Sequence, residues 1–81
     1  MKSVLATEIK VGDILSVNTG YRPLDDENCK VLDIKREVSG LFPVDTIKFF
    51  IDSYHGKHWY DVPVEMRYGD NVYQTKVTKV S

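Results

Sequence analysis

The sequence holds one cysteine, Cys29, and a lone thiol makes neither an intrachain disulfide nor a cysteine-rich zinc site. The expected setting is a reducing compartment, and the chain is read as cytoplasmic. Long apolar runs are also missing. The opening Met1-Lys2-Ser3-Val4-Leu5-Ala6-Thr7-Glu8 has no apolar core of signal-peptide length, and no stretch reaches the ~20 apolar residues of a membrane span, so no membrane partner is expected. Neither sign of charge dominates: 11 basic and 12 acidic residues leave a formal charge of −1, which gives no overall pull toward nucleic acid or anionic lipid. The glycines are isolated and none opens a strand-to-helix unit, so phosphate-cradling loops and nucleotide hydrolysis are set aside. No segment repeats apolar residues with a helical period, and no cofactor is expected.

What is present is a chain of 81 residues, 42% hydrophobic and 28% charged, which suits one domain with one core. Turn-forming residues divide it into short strands. Gly12 is expected at positive φ in a tight turn, with the Asp13 side chain bonding nearby amides. Strands are expected over residues 14–17, 29–38, 44–51, 58–68 and 72–80. Turn-favouring residues crowd positions 18–28, predicting one long loop, and such loops often carry function. A tight hairpin turn is expected at Tyr68-Gly69-Asp70-Asn71-Val72.

Alternation assigns the faces. Leu32 and Ile34 share one face with Asp33 and Lys35 opposite, and Ile47, Phe49 and Ile51 face inward while Phe50 breaks the pattern and packs under a loop. His58, Tyr60, Val62, Val64, Met66 and Tyr68 line one face of the fourth segment; Trp59, Asp61, Glu65 and Arg67 line the other. Pro63 cannot donate to a ladder, so that strand is expected at an edge or with a bend. The expected core is Val11, Ile14, Val31, Leu32, Ile34, Ile47, Phe49, Ile51, Val62, Val64, Met66 and Val77.

Five short antiparallel strands imply an all-β domain, a strongly bent sheet or small barrel. The segment Ile9-Lys10-Val11-Gly12-Asp13-Ile14-Leu15 resembles the first turn and strand of SH3-like small β-barrels, which implies that fold. The same opening is similar to the start of Hint-type self-processing domains, which need an N-terminal nucleophile and a Thr-x-x-His block. Here Met1 stands first, and Asp52 and His55 stand three residues before His55 and His58, so self-processing is not expected.

Asp52, His55, His58 and Asp61 recur every third residue and are metal-ligand types, but on a strand this spacing puts His58 and Asp61 on opposite faces. A nucleophile pairing Cys29 with a histidine lacks a helix N-terminus to lower the thiol pKa. What remains is a surface. Tyr54, His55, Lys57, His58, Trp59 and Tyr60 gather aromatic, imidazole and ammonium groups in one turn and strand, joined by Tyr21 and Arg22 from the long loop. The expected function is a non-enzymatic module that engages a protein partner through this aromatic turn. The alternative is a nucleic-acid-binding barrel using Lys57, Trp59 and Tyr60 with Lys35, Arg36 and Lys48. A third reading is a subunit of an oligomeric enzyme or ligand-binding protein, with His55 or His58 at a shared cleft; homo-oligomers stay open. The charged neighbours on its face place Trp59 at least partly in solvent.

Overall fold

A computed structural model describes residues 1–18, 26–39 and 44–80; the long-loop residues 19–25, with Tyr21 and Arg22, and residues 40–43 lie outside the described residues. The strands are β1 (Lys2–Leu5), β2 (Ile14–Val17), β3 (Glu27–Ser39), β4 (Val44–Ser53), β5 (Gly56–Pro63), β6 (Glu65–Tyr68), β7 (Asn71–Gln74) and β8 (Lys76–Lys79), with a 3₁₀ turn at Ala6–Glu8 after β1. The chain is all-β. Six strands form one antiparallel sheet in the order β1-β8-β2-β3-β4-β5, and β6 and β7 form a separate hairpin. Among the described residues β1 and β5 each pair on one side only, so the sheet is open and not a closed barrel.

Side-chain alternation builds the core. Ile47, Phe49 and Ile51 are buried from β4, Cys29 and Val31 from β3, Leu15 and Val17 from β2, and Val62 from β5. Ala6 and Ile9 join the same cluster, and Val4, Ile34, Tyr60 and Val77 pack against it. Between Val31↔Ile51 and Asp33↔Phe50 the register shifts, leaving Leu32 as an extra residue in β3. This bulge corrects the expected facing: Val31 and Ile34, not Leu32 and Ile34, point to the core. A bulge also sharpens local twist, which bends a sheet of this length.

The turn before β2 matches its chemistry. Gly12 has φ 97°, its N–H donates to the Val31 carbonyl at 2.8 Å, and the Lys10 N–H donates to Asp13 Oδ2 at 2.9 Å. Val11, expected inside, is 61% exposed because it rides on this turn.

Two expected strands are each divided. The fourth segment breaks after Pro63, where the chain bends at Val64, and the last breaks at Thr75. Val64 N–H donates to Asp45 O at 2.9 Å, and Thr75 N–H donates to Val64 O at 3.0 Å. These bonds tie the β6–β7 hairpin to the sheet at its base. The turn Gly69-Asp70 has positive φ at its first position only, the pattern of a II′ hairpin. Every residue of β6 and β7 is exposed. Met66, expected in the core, therefore lies outside it, carried away from the sheet by the bend at Val64.

Phe50 also departs from expectation. It lies beside Trp59 on the outer face of the sheet, since it pairs with Trp59 and Asp33 one step out of phase with Phe49. Phe49→Ala is expected to lower unfolding free energy by about 3–5 kcal/mol, and Phe50→Ala by about 1 kcal/mol. Denaturant titration of both variants checks the facing; equal losses would contradict it.

Candidate functional site

The candidate turn is divided by the strand that carries most of it. Tyr54 and His55 form the tip between β4 and β5, closed by Gly56 at φ 113° and by Ser53 Oγ donating to Gly56 O at 2.7 Å. Tyr54 is 87% exposed, and its ring meets the His55 imidazole edge-on at 5.2 Å. From Gly56 onward the side chains alternate. His58 and Tyr60 pair with Ile51 and Phe49 on the inner face and are half-buried; Lys57, Trp59 and Asp61 pair with Asp52, Phe50 and Lys48 on the outer face. The fold thus separates Trp59 from its sequence neighbours His58 and Tyr60.

On the outer face of β3, β4 and β5 the cross-strand rows read Lys30, Asp52, Lys57; then Asp33, Phe50, Trp59; then Lys35, Lys48, Asp61; then Glu37, Thr46, Pro63. The Phe50 and Trp59 rings lie 5.0 Å apart at 43°, a favourable tilted contact. Lys35 Nζ sits 4.8 Å from the Trp59 ring centroid, a cation–π geometry. Trp59 remains 38% exposed. Lys48 Nζ lies 3.4 Å from Asp61 Oδ2 and 3.8 Å from Glu37 Oε2, so the aromatic pair is framed by charges of both signs.

The hairpin arm adds a surface the sequence reading did not find. Met66 and Tyr73 are directly opposed, the Tyr68 and Tyr73 rings lie 5.9 Å apart, and Tyr68 Oη donates to Met66 Sδ at 3.5 Å. Tyr68 and Tyr73 are 63% and 53% exposed. Its one signal in the sequence was Pro63, which cannot donate to a ladder and marks the bend just before these residues. At the base of the arm, Val44, Asp45, Glu65 and Arg67 line an open groove of about 560 Å³. All four are exposed, so the groove is a shallow surface feature.

Arg36 belongs to neither aromatic surface. Opposite Ile47 on the inner face, it donates from Nε to Asp45 Oδ1 at 3.1 Å and from Nη2 to Oδ2 at 2.8 Å. This two-pronged bond holds the Asp45 carboxyl below the usual carboxylate range and the Arg36 guanidinium above its own. Among the described residues no group of three or more His, Cys, Asp or Glu side chains is placed to hold a metal ion, and no helix is long and apolar enough to cross a membrane. Comparisons with protein-family models, with curated proteins and with solved structures found no match.

Cys29 is fully buried. Burial pushes its thiol pKa up, with Glu27 and Asp52 adding to the rise. The folded state therefore holds this proton more tightly than the unfolded chain, and the stability tied to it is lost as pH rises through the raised value. At pH 8 the thiol is expected to resist Ellman's reagent in the native protein and to react fully in denaturant; rapid native labelling would contradict its placement.

Proposed function

We propose that this protein is a non-enzymatic interaction module that engages a protein partner through exposed aromatic side chains on the outer face of β5 and the adjoining turn. The observation that carries this reading is the partition of the rings. Phe49 is fully buried, whereas Tyr54, Trp59, Tyr68 and Tyr73 stay 87%, 38%, 63% and 53% exposed. Aromatic rings supply large contact area at low entropy cost, and interfaces concentrate their binding energy in Trp and Tyr. Trp59, supported by Phe50 and Lys35, is the anchor, with Lys57 on the same outer face and Tyr54 in the adjoining turn. The bent sheet and the Val11-Gly12-Asp13 turn are read as an SH3-like scaffold left open at β5.

The nucleic-acid reading is weaker on geometry. Of its six residues, Arg36 is bound to Asp45 and Tyr60 faces inward. Lys48 is shared between Glu37 and Asp61, and each cationic row of the outer face contains an aspartate. Phosphate would meet carboxylates wherever it met ammonium groups.

Affinity capture with the intact chain, followed by titration of the purified partner, tests the proposal. Trp59→Ala is expected to weaken association by about 2 kcal/mol or more, beyond the ~1 kcal/mol of stability lost with its Phe50 contact, and Tyr54→Ala to weaken it by less. Unchanged partner affinity in both folded variants would overturn the site, and steeply salt-dependent binding to single-stranded oligonucleotides would favour the alternative.

A further inference from the structure

The open edge of β5 has a self-complementary order of side chains and backbone groups. In an antiparallel ladder, successive residues alternate between those whose N–H and C=O point to the neighbouring strand and those pointing away. The Val64 N–H donates to Asp45 O, and the β4–β5 register runs without interruption from Ser53↔Gly56 to Thr46↔Pro63. Counting back by twos, Val62, Tyr60 and His58 bond to β4, and Lys57, Trp59 and Asp61 turn their backbone groups to the open edge. Pro63 falls in the outward set, so its missing N–H costs the β4–β5 ladder nothing. Among the described residues β5 pairs with β4 alone.

The same three residues place their side chains on the outer face. A two-fold axis through Trp59, normal to the sheet, sets Trp59 against Trp59 of a second copy and sets Lys57 against Asp61 of that copy, twice by symmetry. The charge row continues across the junction: Lys30, Asp52 and Lys57 of one chain meet Asp61, then Lys48 and Lys35, of the other. The aromatic row becomes Phe50, Trp59, Trp59, Phe50. Charged edge strands ordinarily repel a second strand; here antiparallel self-pairing makes both charge contacts attractive, whereas parallel pairing in register would set like against like. Pro63, lacking an amide hydrogen, ends the pairing at each side.

We infer that the partner of the β5 edge is a second copy of this chain, joined antiparallel about Trp59 into a continuous twelve-stranded sheet with an isologous interface. The interface uses edge backbone groups and stands whether or not the aromatic face engages another protein.

The test combines sedimentation of the full chain with residue-resolved amide exchange. The wild type is expected to sediment as a dimer at high protein concentration, with the amides of Lys57, Trp59 and Asp61 gaining protection as concentration rises. Lys57→Glu makes the edge acidic and Asp61→Lys makes it basic. Each reverses two symmetric contacts and is expected to raise the dimer dissociation constant about tenfold. An equal mixture of the two variants restores tight pairing, since each edge then meets its opposite. A monomer at all concentrations with those three amides unprotected would overturn the inference. So would a dimer that leaves them unprotected, or a mixture that pairs no better than either variant alone.

Discussion

The structure depends on the period-two alternation of β4 and on the register that transmits it to β3 and β5. Ile47, Phe49 and Ile51 are buried, and each lines up across β5 with Val62, Tyr60 and His58. A slip of one residue would exchange Phe49 for Phe50 and put Lys48 in the core. Burial of five largely apolar β3 and β4 side chains against β2 forbids that exchange. The outward direction of Phe50, Trp59 and Lys35 is thus a consequence of core packing, and the candidate surface needs no separate device to hold it.

Two irregularities shape what the alternation alone would leave flat. The bulge at Leu32 absorbs one residue in β3, allowing Cys29 and Val31 on one side of it and Ile34 on the other to face the same core. The bend at Val64 redirects the chain into a hairpin that adds no buried side chain. A two-stranded hairpin has little stability of its own in water. This arm is held by backbone bonds through Val64 and Thr75 and by Gln74 Nε2 donating to Glu65 Oε1 at 3.0 Å. Its exposed Tyr68 and Tyr73 are aromatic area without a core to fill.

Local chemistry was legible in the sequence where it acts within a few residues. The bounds of β2, the positive φ of Gly12, the Asp13 side-chain bond and the Gly69-Asp70 turn all follow from short-range preferences. The inward set of β4 and the partial exposure of Trp59 follow from alternation. Long-range geometry was not legible. β1 has no strong pattern of its own and becomes a strand by pairing with β8, more than seventy positions away. Leu32 was misassigned because strict alternation was carried back from Ile34 through the Val31-Leu32 pair, where the bulge shifts the phase. Met66 fits the alternation of residues 58–68 and leaves the core only because Pro63 and Val64 turn the chain. The aromatic turn was legible as a cluster, and alternation already divided His58 and Tyr60 from Trp59 between two faces, as the β5 register has them. Tyr21 and Arg22, assigned to the same site, lie outside the described residues.

The central claim is that core packing of β4 turns Phe50 and Trp59 outward as one aromatic contact capped by Lys35. Solution NMR tests it through nuclear Overhauser contacts of the Trp59 indole. The account predicts contacts to the Phe50 ring and to the side-chain methylenes of Lys35, with those methylenes shifted upfield by the indole ring current. Indole contacts to Phe49, Ile51 or Val31, with unshifted Lys35 methylenes, would place Trp59 in the core and contradict the account.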